Sequence, residues 1–180
     1  STQGYSSAAS DVYKRQVRFL EECGFSRIIL ERALSREQIR EIRKACSVEL
    51  ECFVHGAICV SHSGRCMLSR TMSSRSGNRG ECSQPCRLPY DLIDERGRVV
   101  MAGKHLLSVR DLNLSSHIGE MIDDGITSFK IEGRLKDISY VKNVVAYYRR
   151  KIDEAIASRS DCRRASSGES IFDFLSLIHI

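Results

Sequence analysis

Four cysteines, Cys59, Cys66, Cys82 and Cys86, follow one another at the spacings C-x6-C, C-x15-C and C-x3-C in a stretch dominated by Gly, Ser and Arg. From Glu51 to Arg87 the chain loses any helical or strand period after about Val60, so apolar burial alone cannot order it. Thiolates gathered from such a loop are how proteins hold zinc or an iron–sulfur cluster. Structural zinc draws on paired C-x2-4-C knuckles, and only Cys82 and Cys86 form one. The irregular spacing in a cationic surround suits a 4Fe–4S cluster on all four thiols, with zinc as the alternative. Cys23, Cys46 and Cys52 fall on helix or strand faces and read as small buried apolar groups, and Cys162 reads as incidental.

The loop is also locally cationic. Arg65, Arg70, Arg75, Arg79 and Arg87 stand against Glu81 alone between Gly64 and Arg87. They are interleaved with Ser, Asn and Gln rather than aromatic residues, which suits contact with the phosphate backbone of RNA better than base stacking. The plainer reading is a solvated charged surface.

A second constellation, Lys130-Ile-Glu-Gly-Arg134, closes an apolar run that reads as a strand. By strand alternation Lys130 and Glu132 share a face with Ser128, while Phe129 and Ile131 take the other. Cation, anion, Gly and cation at one strand tip offer groups for binding and proton transfer, where the plainer reading is a strand-end salt bridge. The run Val48–Val54 alternates in the same way, with Val48, Leu50, Cys52 and Val54 on one side and Glu49, Glu51, Phe53 and His55 on the other. Two adjacent strands then present carboxylates and an imidazole to one cavity, with Glu51 and His55 as candidate site residues. A His beside a Gly equally suits a hydrogen-bonded structural role.

The elements that position these groups follow from period and caps. Val17–Cys23 reads as a helix end with Gly24 as its stop, and Arg27–Leu30 as a strand. Ser35 caps a helix, with Gln38 completing a capping box and Ile39, Ile42 and Cys46 on one face. After the cysteine loop, Tyr90–Ile93 and Arg98–Met101 flank a Glu-Arg-Gly turn as a short hairpin, and Ser108–Asp111 reads as a loop. A helix from Ser116 with Ile118, Met121 and Ile122 inward stops at Gly125, and Ile126–Ile131 is the next strand. The clearest helix runs from about Ile138 to Ser158, with Val141, Val144, Val145, Tyr148, Ile152 and Ile156 along one stripe. Helix and strand in alternation argue parallel βα units.

The runs Glu51–Cys59, Ser63–Ser69 and Gly77–Arg87, with Leu107–Leu112 and Ser128–Arg134, closely resemble the signature of peptidase family U32, over roughly Val17 to Ala157. The resemblance implies a TIM-like (β/α) barrel with the Cys-rich segment 51–87 as an inserted cluster-binding loop. Such barrels typically need about 250 residues, so these 180 residues read as part of one. Within the family, the Ser-Gly-Asn-Arg-Gly-Glu-Cys and Lys-Ile-Glu-Gly-Arg motifs most resemble the branch linked to prephenate-dependent 5-hydroxylation of the tRNA wobble uridine. That implies Cys59, Cys66, Cys82 and Cys86 as cluster ligands, Lys130, Glu132 and Arg134 lining the site, and Arg134 suited to a small dicarboxylate such as prephenate. It further implies tRNA on the arginine loop and a partner subunit of the same family. The alternatives are a collagenase-like peptidase and a zinc-stabilised RNA-binding module. Against the peptidase, the sequence holds neither a Gly-x-Ser-x-Gly elbow nor a His-Glu-x-x-His helix.

A net charge of +5, 42% hydrophobic and 28% charged residues are ordinary globular values, and no apolar run is long enough to span a bilayer. Without a basic-then-apolar leader, the eight cysteines point to a reducing cytoplasm, where they are thiols or metal ligands. Residues 1–16, Ser-rich and aperiodic, and the polar linker and apolar stub of 159–180 resemble translated adapter sequence and are set apart from a 17–158 domain.

Overall fold

The computed structural model describes residues 3–61, 64–133 and 136–162. They fall into two compact units, one drawn from both ends of the chain, up to Gly56 and from Leu112 onward, and one formed by Ala57–Asp111. In chain order the elements are α1 (Gln3–Glu22), β1 (Arg27–Ile29), α2 (Arg36–Arg43), β2 (Glu49–Gly56), α3 (Leu68–Met72), β3 (Tyr90–Ile93), β4 (Val99–Lys104) and β5 (Leu112–Asn113). They continue with α4 (Ile118–Asp123), β6 (Ser128–Ile131) and α5 (Ile138–Ile156).

The first unit is mixed α/β, organised by β2. This strand pairs in parallel with β1, Leu50 opposite Ile28, and in parallel with β6, Cys52 opposite Phe129. It also pairs antiparallel with the two-residue β5, which the sequence pattern did not suggest. The parallel core β1-β2-β6 is the βα arrangement expected, and the described strands form an open sheet.

Local signals explain most boundaries. Ser35 Oγ accepts from the Gln38 amide at 3.3 Å and Gln38 Oε1 accepts from the Ser35 amide at 2.8 Å, so the capping box opens α2 as expected. Gly24 and Gly125, at φ of 89° and 87°, end α1 and α4 in the left-handed conformation that L side chains resist. Asp137 caps α5 by accepting from the Tyr140 amide at 2.9 Å. The segment 1–16, expected to be aperiodic, is helical from Gln3, and Tyr13 within it donates a hydrogen bond to Glu31.

One face of the sheet makes the core. Ile28 and Leu30, Leu50, Cys52 and Val54 pack with Val17, Ile39, Ile42, Ile118, Met121, Ile126, Val144 and Tyr148. Two assignments shift. Val145 is exposed, because the inward stripe of α5 runs through Val144 and Tyr148 and position 145 lies about 100° away from it. Cys23 is exposed too, because it stands in the turn after α1 has ended, beyond the packed stripe. Between α2 and α4, Asp124 is buried and bonded by Arg36 and Arg40, each at 2.7 Å. Burial works against its charge, and the two guanidinium groups outweigh it, holding the carboxyl below the usual range.

The second unit contains the expected hairpin. Asp94 Oδ1 accepts from the amides of Arg96 and Arg98, both at 2.9 Å, and Gly97 takes φ 78° to close the β3–β4 turn. Among the described residues no helix is long and apolar enough to cross a membrane.

Tyr148 joins the helix layer to the sheet. Its hydroxyl stands 2.8 Å from Val54 O and 3.1 Å from Asn113 Oδ1 and accepts the Leu114 amide at 3.2 Å, so β2, β5 and α5 meet at one oxygen. Burial pushes its pKa up to about 12. Replacing Tyr148 with Phe removes the hydroxyl at this joint while the Leu114 amide still donates to Val54 O at 2.9 Å, so the expected loss is that of a made hydrogen bond, about 0.5–1.5 kcal/mol in urea unfolding of the full-length protein. A midpoint equal to wild type refutes that joint.

Candidate functional site

The sheet face opposite the core carries the first candidate set. From β2, Glu51 accepts the Ser128 hydroxyl of β6 at 2.8 Å and lies 3.9 Å from Lys130 Nζ and 3.6 Å from Arg27. Glu132, just past β6, is paired with Arg32, whose guanidinium lies 3.9 Å from the centre of the Phe53 ring. Lys130 Nζ stands 5.1 Å from the same ring. Lys130, Glu132 and Glu51 are therefore brought onto one face with Phe53 as its floor, as strand alternation predicts. Arg134 lies outside the described residues.

Glu132 is fixed by backbone as well as by charge. Its amide donates to His55 O at 3.0 Å. Gly56, at φ 118°, passes so close that a Cβ there would sit 2.9 Å from Glu132 O. Only glycine lets β2 end at that distance.

His55 does not join the Glu49–Glu51–Phe53 row. The β2–β6 register shifts between Phe53 and His55, so His55 is opposite Ile131. The bulge turns the ring toward α5, where Nε2 lies 2.8 Å from the Tyr140 hydroxyl and Nδ1 3.4 Å from that of Tyr148. The imidazole is buried among tyrosines rather than presented beside Glu51. Cys52, also buried, has its thiol pushed up to about 12, chiefly by desolvation, as an inert core residue.

The second unit carries the other set. Among the described residues of 57–111 no large hydrophobic side chain belongs to the buried core, and the buried ones are Ser69 and Pro85. Cys66, Cys82 and Cys86 are half-buried and Cys59 is exposed. Burial pushes the Cys86 thiol up, Arg87 opposes this, and Cys82, Cys59 and Cys66 add to the rise. No three Cys, His, Asp or Glu side chains among the described residues stand as a ready metal-ion site. The cationic surround does not by itself lower Cys86, because desolvation outweighs Arg87.

The arginines divide. Arg87 is spent within its own unit: it donates to Ile58 O at 2.8 Å, to Ser108 Oγ at 2.9 Å and to Val109 O, and lies 3.6 Å from Asp111. Arg75 donates to Glu81 O at 3.1 Å from an exposed position. Arg65, Arg70 and Arg79 are exposed. Arg79 rides a turn in which the Glu81 amide reaches back to Ser76 O at 2.9 Å, with Gly80 at φ 80°. The unit holds nine Lys and Arg against five Asp and Glu, and so carries most of the chain's net charge of +5.

Sequence reasoning missed Arg32, Ser69 and Tyr140, and placed Tyr148 on the stripe of α5 without its hydroxyl contacts. No periodicity or spacing marks these partners, since each is brought from elsewhere in the chain.

The sequence matches the family model described as Peptidase family U32 over residues 4–172. It is 51% identical over 155 residues to the 23S rRNA 5-hydroxycytidine C2501 synthase of Escherichia coli strain K12, covering 86% of this chain and 24% of that protein. It is 44% identical over 145 residues to tRNA hydroxylation protein P1 of Bacillus subtilis strain 168, covering 77% and 34%. A collagenase of Porphyromonas gingivalis is 34% identical over 139 residues, covering 70% and 34%. The chain thus spans about a quarter to a third of the length of these curated relatives. No solved structure matches it.

The Arg87 fork generates a direct test. A lysine supplies one ammonium where the guanidinium reaches several acceptors in fixed directions. Arg87→Lys is therefore expected to speed proteolytic cleavage within 57–111 of the full-length protein by roughly tenfold, from the loss of about 1–3 kcal/mol of local hydrogen bonding. Unchanged cleavage dismisses the fork as what holds those loops.

Proposed function

Because the chain belongs to peptidase family U32, we propose that it is the thiol-bearing part of a cytoplasmic RNA hydroxylase acting at C5 of a pyrimidine. What supports this is one coincidence: relatives named for hydroxylating RNA, and a unit that carries four thiols among exposed arginines. The donor set fits an iron–sulfur group by its chemistry: four sulfurs, cationic neighbours, and no apolar core to order the segment otherwise. Cys59, Cys66, Cys82 and Cys86 are the residues to hold it, and when bound it supplies one-electron chemistry. Zinc is the competing occupant.

The chain's own residues take the remaining roles. Arg65, Arg70, Arg75 and Arg79 meet RNA phosphates, while Arg87 keeps the loops that carry them. Lys130 and Arg134 offer cations to a small dicarboxylate co-substrate of the prephenate kind. Glu132, paired with Arg32, and Glu51, held by Ser128, orient that ligand or move a proton. His55 holds Glu132 through its backbone carbonyl. The sheet carrying these groups is read as part of a (β/α) barrel that the longer protein completes, with a partner subunit of the same family as a further candidate. Ribosomal RNA is the first substrate to test, since the rRNA cytidine relative is more similar than the tRNA one. The wobble uridine of tRNA is the second.

The deciding measurement is mass spectrometry of rRNA and tRNA nucleosides from cells lacking the gene and complemented with full-length variants. Wild type restores a 5-hydroxypyrimidine, and the fraction containing it identifies the RNA. Cys82→Ser and Cys86→Ser abolish both iron binding and product, whereas Cys46→Ser keeps both. Zinc without iron after anaerobic purification replaces the cluster reading with a zinc-stabilised RNA-binding module. Gelatin cleavage with no hydroxylated product replaces it with a peptidase.

The exposed arginines predict a salt dependence. Each phosphate contact removed by Ala at Arg70 or Arg79 lowers the slope of log K against log salt by about 0.7 to 0.9. An unchanged slope in the double variant removes this loop from the RNA surface.

A further inference from the structure

Cys82 is treated differently from the other three thiols. Its Sγ is 3.3 Å from the Gln84 amide and 3.7 Å from Ser69 Oγ. Ser69 is 2% exposed, in a unit with almost nothing else buried. A serine hydroxyl has one hydrogen and two lone pairs. Ser69 Oγ accepts from the Ser83 amide at 3.2 Å and from the Ser83 hydroxyl at 3.3 Å, which occupies both lone pairs. Its own hydrogen is left for the Cys82 sulfur. The Ser69 backbone is held as well, since the Ser73 amide and hydroxyl both donate to its carbonyl at the end of α3, at 2.9 and 2.8 Å.

The second donor is held at a conformational cost. Gln84 has φ 55° and ψ 45°, the one positive φ at a non-Gly residue among those described, and Pro85 follows it. A left-handed residue with a Cβ is uncommon. This one aims its amide at sulfur. Two neutral donors converging on one sulfur stabilise negative charge there, and hydrogen bonds to cluster sulfurs are among the groups that set reduction potential.

We infer that Ser69, with the Gln84 amide, is a built-in donor to the Cys82 sulfur that raises the reduction potential of the iron–sulfur group held by this unit. The inference rests on the cluster reading above. Each extra donor favours the reduced state, in which the sulfurs carry more charge, so Cys82 is the ligand through which the protein tunes electron transfer. Ser69 acts through Cys82 and touches no substrate.

The test is a redox titration of anaerobically purified full-length protein, followed by visible absorbance and electron paramagnetic resonance, with iron analysis of every sample. Ser69→Ala is expected to keep wild-type iron content and to shift the redox equilibrium about tenfold toward the oxidised form, about 59 mV more negative for one electron. Ser69→Thr, which retains the hydroxyl, is expected to restore the potential. A merely structural serine would change stability and leave the potential where it was. Full iron content with an unmoved potential in Ser69→Ala overturns the inference while leaving the cluster reading intact. Wild-type protein that takes up no iron overturns both. If Ser69→Ala does not fold, the decision passes to wild type exchanged into heavy water, where exchangeable deuterons coupled to the reduced cluster support the two donors and their absence refutes them.

Discussion

Residues 57–111 must be ordered without an apolar core, and the rest of the candidate chemistry depends on that constraint. A chain segment of this length loses a large conformational entropy on folding. In the first unit the loss is offset by the buried cluster around Ile42, Leu50, Val54 and Tyr148. In the second, the large apolar side chains of β3 and β4 are exposed. What remains is polar: the Arg87 fork, the Asp94 turn, and a knot of Ser69, Ser83 and Cys82. A metal or cluster bound by four thiols would contribute the missing cross-link, so the same residues would carry both folding and chemistry.

β2 imposes the matching constraint on the first unit. Its alternation sends Leu50, Cys52 and Val54 into the core and Glu49, Glu51 and Phe53 to the opposite face, where β6 adds Ser128 and Lys130. Phe53 gives that face an aromatic floor on which Arg32 and Lys130 lie. A charged, half-buried sheet face is costly unless its charges are paired, and Glu51 and Glu132 each have cations beside them. The bulge after Phe53 removes His55 from that face and gives it to the tyrosines of α5. The acidic and basic groups of the candidate site are therefore separated from the buried imidazole by a single residue's change of register.

The relatives include proteins named for RNA hydroxylation and a collagenase, and this chain's residues bear on the difference. Cys52, the cysteine nearest the carboxylate face in sequence, is buried with its thiol pushed far above neutrality, which suits packing rather than nucleophilic attack. The second unit instead carries four thiols near exposed arginines, and the Cys82 sulfur is met by two donors.

Helix boundaries were legible from sequence because their causes are local: the Ser35–Gln38 box, the Gly24 and Gly125 stops and the hairpin at Gly97 each involve residues within a few positions of one another. The parallel pairing of the strands followed from the alternation of elements, and the shared face of Lys130, Glu132 and Glu51 from the two-residue period of a strand. Only the tertiary structure decided the rest. The two-residue strand β5 has too few residues to leave a pattern. The turn of His55 depends on a register shift against β6, more than 70 positions away in the chain. Arg87 looks like its neighbouring arginines until Ile58, Ser108 and Val109 are brought around it. Ser69 looks like any loop serine until Ser83 fills its lone pairs and leaves its hydrogen for Cys82. Sequence carries the chemistry of each group and the period that sets its face, whereas the partner that spends or frees a donor is fixed only when distant segments meet.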